Sequence, residues 1–426
     1  MSLLHHLASL RHVRSDRTGR AVWPSTTVVD PAGRLCVGGV PLTDIADEVG
    51  TPSYVLDETD LRSRIRHYQS SLPGVRVVYA GKALLTTTVA QWVVEEGLGL
   101  GVCSPGELAI ALAAGIDPAR IVLHGNVKTT EELLDATAAG VGRIVVDSLT
   151  ELSVLGCLLQ RPQKVLLGVT PEIDIPGHRA VHTGVSDQKL GFTLNGGHFN
   201  EAVHRISQHQ LLTLVGLHCH LGSQITDATP YGEAIRRLVP AMADIRTRHR
   251  MTLSELNIGG GHGVPYLPGD PELDLRALAA TINDALGESC ARERFPRPTI
   301  GVEPGRAVSA RAGVTVHRVV TLKSRPGGRT FVAVDGGMSD NPRVALYDAK
   351  YKVALANRQS LGRMKSVTIV GPHCEAVDEM AREVLLPADI RPGDVLAFAC
   401  TGAYHHDLAS TSNTVDRPPL VAVRDG

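Results

Sequence analysis

Eight short apolar runs, each ending in a polar or glycine-rich cluster, constrain this chain more than any single residue does. They are VRVVYAGK (75–82), LGLGVCS (98–104), IVLHGN (121–126), RIVVDS (143–148), KVLLGVTP (164–171), LVGLHCHLGS (214–223), ELNIGGGHG (255–263) and TIGVEPGR (299–306). Helix-compatible stretches separate them, including GELAIALAAG (106–115), TTEELLDATAAG (129–140) and YGEAIRRLVPAMADIRTRH (231–249). Thr129 or Thr130 with Glu132 makes a helix start signal, and Gly115 and Gly140 stand where glycines end helices. Strand–helix units repeated eight times, with chemistry at the strand C-termini, predict a (β/α)₈ barrel enzyme of the TIM type.

The pattern changes after Gly313. Runs at 314–323, 329–337, 366–372, 383–390, 394–400 and 419–423 are β-rich and broken by Gly, Pro and Asp. They predict a mainly antiparallel β domain. Residues 26–42 alternate as strand–turn–strand and are expected to pair into it, with a short helix at 42–50, so the domain is discontinuous. The expected division is a leader over 1–24, a first β segment over 25–50, the barrel over 51–306 and the C-terminal β domain over 307–426.

Charge is balanced, with 43 Lys+Arg against 44 Asp+Glu, which gives no support for a nucleic-acid or polybasic membrane surface. No apolar stretch has the length of a membrane span, and the first twenty residues lack the pattern of a signal peptide. Seven cysteines without a C-x-x-C pair argue against a disulfide framework or zinc site and fit a reducing cytoplasm.

Lys82 directly follows a β-branched run. A lysine there can form a Schiff base if its amine is partly neutral; the alternative is a snorkelling surface lysine. Gly259-Gly260-Gly261 can bring backbone N–H groups onto a phosphate, or be a plain turn. Glu303 and Arg306 are either a surface pair or a pyridinium partner and an anion-binding group. His218 and His220 alternate onto one side of their strand. A metal site there is not expected, since no matching carboxylate motif accompanies them; a ring stacked on a cofactor, with Ser223 donating to phosphate, suits the position better. Cys374 beside Glu375 is either an acid/base thiol or an inert cysteine.

Taken together the motifs resemble the fold-type III decarboxylases that use pyridoxal 5′-phosphate (PLP), and within them most closely the diaminopimelate decarboxylases. The resemblance covers about residues 26–426. It rests on YAGKAL around Lys82, HGNVKT (124–129), VDS (146–148), HTGVSDQKLGF (182–192), HCHLGSQ (218–224), LNIGGGHGVPY (256–266), EPGR (303–306), DGGMSDNPRVALYDA (335–349), GPHCE (371–375) and TGAY (401–404). It implies that Lys82 holds PLP as a Schiff base, His220 stacks on the pyridine ring and Glu303 pairs with its nitrogen. Ser223, Gly259–Gly261 and Tyr404 would hold the phosphate, with Arg306 close by. Arg306, Arg343, Tyr347, Glu375 and Tyr404 would grip the far end of an amino-acid substrate. Cys374 would come from the second subunit of a homodimer and reprotonate the product.

The implied reaction is meso-diaminopimelate to L-lysine, in lysine biosynthesis. Four places depart from the family pattern. Gly101 replaces an Asp, and Pro105-Gly106-Glu107-Leu108 replaces Gly-Gly-Glu-Leu. Ala376-Val377-Asp378 replaces Ser-Gly-Asp, and Thr411-Ser412-Asn413 replaces Asn-Tyr-Asn. The departures suit an alternative: a paralogue acting on a related diamino or amino acid, or on a substrate attached to a carrier protein. A non-catalytic regulatory homologue is a third reading, opposed by the presence of both Lys82 and Cys374.

Overall fold

The computed structural model describes residues 20–173 and 189–424. Leader residues 1–19 and the 182–188 part of the HTGVSDQKLGF motif lie outside the described residues.

All eight apolar runs form strands: β1 (Arg76–Ala80), β2 (Gly99–Val102), β3 (Ile121–Leu123), β4 (Arg143–Val146), β5 (Gln163–Thr170), β6 (Leu212–His218), β7 (Glu255–Asn257) and β8 (Thr299–Val302). They pair in parallel in chain order, and β8 returns to β1 with Val302 beside Val77, so the sheet closes into a barrel. The strands are apolar on both faces because helices cover the outside while side chains fill the lumen. Val78, Val122, Val145, Leu166 and Val215 from five of the strands form one such buried cluster.

Local chemistry sets the helix starts. The Thr129 side chain accepts from the Glu132 N–H while the Glu132 carboxylate accepts from the Thr129 N–H, a complete capping box for Thr130–Ala139. Ser104 and Ser148 cap the helices that follow β2 and β4. Each cap directs the chain away from a strand end, leaving that end's next residue at the barrel mouth.

The second compact unit comprises the residues up to Arg64, Val264–Pro271 and those from Arg306 onward; the barrel unit is Ile65–Gly263 with Glu272–Gly305. The strand Gly313–Ser324 is its hub. It pairs antiparallel with Ser53–Asp57, Val395–Ala399 and Thr330–Val334. Most pairings here are antiparallel; Thr330–Val334 with Met364–Val370 and Ser53–Asp57 with Leu420–Val423 are parallel. Three details differ from the sequence reading. Residues 51–64 go with this unit and not with the barrel, because Ser53–Asp57 pairs with Gly313–Ser324. Val264–Pro271, expected in the barrel, also goes with this unit. Residues 28–41 form a separate three-stranded antiparallel sheet instead of joining the larger one.

At the N-terminal face of the barrel, Glu255 on β7 accepts from Arg143 Nε on β4 at 2.6 Å and from Arg76 Nη1 on β1 at 2.7 Å. Burial pushes the Glu255 carboxyl up, but the Arg143 hydrogen bond and the two positive charges outweigh it and leave the pKa below the ordinary carboxylate value. Glu255→Gln should therefore lower unfolding free energy by about 2 kcal/mol at neutral pH. A depressed carboxylate pKa stabilises above the unfolded value of about 4.3, and that contribution fades as pH falls toward the folded pKa. Urea titrations at pH 7 and near pH 3 check this: the gap between wild type and variant should shrink in acid, and an unchanged gap would refute the clamp.

Candidate active site

The C-terminal ends of the barrel strands converge on a cavity of about 330 Å³. Ala80 and Lys82 enter it from β1, Gly101 and Cys103 from β2, His124 from β3, Asp147 from β4, Thr170 from β5, His218 and His220 from β6 and Glu303 from β8. Lys82 sits in the single turn Gly81–Ala83 directly after β1, with its side chain exposed. The Tyr79 hydroxyl donates to the Leu84 carbonyl at 2.8 Å and pins that turn from below.

Glu303 is buried and has three side-chain partners in reach. Asn257 Nδ2 donates to Oε1 at 2.7 Å, His218 Nε2 bonds Oε2 at 3.2 Å, and His124 Nε2 lies 3.0 Å from Oε1. Burial alone would favour the neutral acid; the two imidazoles overcome it and hold the carboxyl well below its usual range. His220 goes the other way. Burial and the nearby Lys82 charge push its pKa down to about 3, so it is a neutral flat ring at physiological pH. The Cys103 thiol is pushed up to about 12 by burial and the Glu107 carboxylate.

The Gly259–Gly261 loop follows β7. Gly259 has φ +71°, and its hydrogen faces the His220 ring: a Cβ there would lie 2.4 Å from the Cys219 carbonyl and 3.2 Å from His220 Nδ1. A Cβ on Gly260 would lie 2.1 Å from the Glu303 carbonyl. The three carbonyls are taken up inside the protein, by the Glu303 N–H, the Tyr231 hydroxyl and the Ile225 N–H. Gly259 donates its own N–H to Asn257 Oδ1 at 2.9 Å, so the N–H groups of Gly260 and Gly261 are the ones the loop can turn to an anion.

The β unit carries its own cationic cluster. Arg306 Nη1 and Arg343 Nη1 both donate to the Tyr266 hydroxyl, at 2.8 and 2.9 Å, and both guanidiniums lie over the Tyr266 and Tyr404 rings. Both arginines are buried. Tyr347 is partly exposed. Cys374 and Glu375 are exposed on a loop held by buried neighbours: Asp378 accepts the N–H groups of Met338 and His373, and the His373 ring contacts Asn413 and Ser339.

Of the residues singled out in the sequence, the structure gathers Lys82, His220 and Glu303 in one cavity, with Gly259 against His220. It gathers Arg306, Arg343 and Tyr404 in the β unit. Sequence reasoning missed His124, Asn257 and Tyr266, although each lies inside or beside a motif it had marked. It also judged that the strand endings offered no His/carboxylate set. They do: His124, His218 and Glu303 place their ligating atoms within 4.8 Å of one another. The three are far apart in sequence, and barrel closure alone brings them together. The amide donor on Oε1 makes this arrangement a braced anion.

These groups fit PLP. An exposed amine suits its aldehyde, a neutral ring suits its face, an ionised carboxylate suits a protonated ring nitrogen, and a glycine cradle suits its phosphate. Comparison with known proteins points the same way. Residues 58–310 match the pyridoxal-binding domain of the pyridoxal-dependent decarboxylases. A diaminopimelate decarboxylase of Actinosynnema pretiosum subsp. auranticum is 51% identical over 426 residues, 100% of this chain and 96% of the relative. That of Mycobacterium tuberculosis (strain H37Rv) is 42% identical over 95% of this chain and 93% of its own. Among solved structures, diaminopimelate decarboxylase from M. jannaschii in complex with L-lysine superimposes with a TM-score of 0.87 at 27% identity, covering 94% of this chain and 93% of that one. The enzyme from Helicobacter pylori, also complexed with L-lysine, gives 0.83 at 27% identity over 90% of this chain and 94% of that one. In motif, fold and site, the chain belongs to the family of pyridoxal-dependent decarboxylases.

Proposed function

We propose that this PLP-dependent carboxy-lyase converts meso-diaminopimelate to L-lysine, and that its residues act in the roles that follow. The observation that carries the substrate reading is the pair of buried guanidiniums, Arg306 and Arg343, converging on Tyr266. A guanidinium can take a carboxylate through two parallel hydrogen bonds, and a second carboxylate on the substrate is a group of that kind. Full-length relatives named diaminopimelate decarboxylase support the same reading.

Bound PLP supplies an electron sink for the pair left behind by departing CO₂. Lys82 would provide the amine that holds the cofactor's aldehyde carbon. His220 covers the ring with a neutral face that takes no proton at working pH. Glu303, ionised by its partners, keeps the proton on the ring nitrogen, which is the condition for the sink to work. Ser223 and the Gly259–Gly261 loop hold the phosphate. In the β unit, Arg306, Arg343, Tyr347 and Tyr404 bind anionic groups, and Glu375 binds the distal ammonium.

Cys374 donates the proton that replaces CO₂ on the α-carbon. Its exposure in the single chain supports a homodimer in which the thiol is completed by a second copy. Seven free thiols support a cytoplasmic setting, and no helix among the described residues is long and apolar enough to cross a membrane.

A second reading, a related amino acid or a carrier-attached substrate, draws on Val377, an exposed apolar side chain two residues from Glu375. Relative turnover of meso-diaminopimelate, L-ornithine, L-lysine and L-glutamate separates the two. The first reading expects meso-diaminopimelate to lead by at least about a hundredfold, since a site built around buried charges rejects ligands that leave them unpaired.

Lys82→Ala should lower CO₂ release roughly a thousandfold and abolish the covalent cofactor absorbance; a variant with full turnover would refute the assignment. Cys374→Ala should lower product formation about a hundredfold with PLP affinity unchanged, as expected for loss of a general acid. If the rate held, the proton would come from elsewhere.

A further inference from the structure

We propose that His124 is a positioning residue for the reaction: with His218 and Asn257 it aims the Glu303 carboxylate into the cavity, and glycine at residue 101 leaves its ring uncrowded. The inference rests on the reading that PLP occupies the Lys82 cavity. It adds a residue and a structural condition that this reading does not contain.

Glu303 Oε1 takes the Asn257 amide at 2.7 Å and faces His124 Nε2 at 3.0 Å, while Oε2 takes His218 Nε2 at 3.2 Å. A carboxylate held at both oxygens from three strand ends cannot rotate or retreat. The two imidazoles also brace each other, with ring centroids 5.0 Å apart and planes at 60°. Removing His124 takes away the 3.0 Å contact at Oε1 and leaves His218 without its edge contact.

His124 is itself fixed from behind. Lys128, four residues on, donates to the Gly125 carbonyl at 2.6 Å, the Val145 carbonyl at 2.8 Å and Glu151 Oε1 at 2.7 Å. The Lys128 and Glu151 side chains are 3% and 5% exposed, so this is a buried pair whose hydrogen bonds are satisfied by main chain as well as carboxylate. It ties the His124–Lys128 loop to β4 and to the helix that follows. Glu151 in turn accepts the Asp147 N–H.

Space is the remaining condition. On β2, a Cβ at residue 101 would lie 3.4 Å from both His124 Nε2 and Cδ2. A methyl group would make an ordinary van der Waals contact with the ring, and a longer polar side chain could compete for its Nε2. An aspartate is the sharpest case, because its carboxylate would compete with Glu303 for the same imidazole. Gly101, a departure in the sequence, thereby acquires a physical purpose.

Other titratable groups face the same carboxylate. Burial keeps His124 neutral against the pull of Glu303; Lys82 and His220 share its cavity, and Cys219 is pushed up to about 12, chiefly by burial. Any pH profile must therefore be compared between variants and not read as the titration of one group.

The test uses the full chain reconstituted with PLP. His124→Phe, His124→Gln and Gly101→Asp are compared with wild type for PLP dissociation constant, for the pH dependence of the bound-cofactor absorbance, and for thermal unfolding without PLP. His124→Phe and Gly101→Asp should weaken PLP binding about tenfold and shift the absorbance titration, with unfolding temperatures near wild type. His124→Gln, which keeps an N–H donor, should recover most of the affinity. If His124→Phe folds normally and keeps both affinity and pH profile, the positioning role is wrong while the Lys82 cavity stands. If wild type binds PLP without using Lys82, the reading beneath it fails first. Should His124→Phe not fold, Gly101→Asp decides alone: unchanged affinity and titration overturn the proposal.

Discussion

Closure of the barrel is the constraint on which the rest of the site depends. Hydrogen bonding of β8 back to β1 places residues from positions 82, 124, 218, 257 and 303 around one cavity. A carboxylate buried at that depth is costly unless it is paired. Glu303 meets the cost with an amide and two imidazoles, and the resulting fixed negative charge gives the cavity its polarity. Lys82 approaches it from β1 and His220 from β6, so a flat, positively polarised ring is the ligand shape that the arrangement favours.

The same charge separates the three histidines at the mouth. His218 and His124 face the carboxylate and brace it. His220 lies against the Gly259 backbone, where burial and the Lys82 charge keep it neutral. Three imidazoles within one cavity thus act as two braces and one flat surface. The distinction follows from position, since the sequence HCH presents two of them only two residues apart.

Much of the fold was legible because barrel strands are apolar on both faces and end abruptly in residues that no strand interior tolerates. The capping box at Thr129 and Glu132 and the β-rich pattern after Gly313 were legible for the same local reasons. Ser53–Asp57 was not: a fully buried strand carries no mark of the sheet it joins, and its partner Gly313–Ser324 lies over two hundred residues away. The site divided along the same line. Lys82 and the glycine triplet stand out because their local chemistry is unusual. His124, Asn257 and Tyr266 do not, because their importance lies in which distant atom they face: Glu303 for the first two, Arg306 and Arg343 for the third.

The central claim is that the barrel cavity around Lys82 is the cofactor site. Borohydride reduction of the PLP-loaded protein, followed by peptide mass mapping, tests it most directly. The account predicts one pyridoxyl group per chain, on the peptide containing Lys82. A modification at Lys128 or at a surface lysine, with Lys82 unmodified, would contradict it.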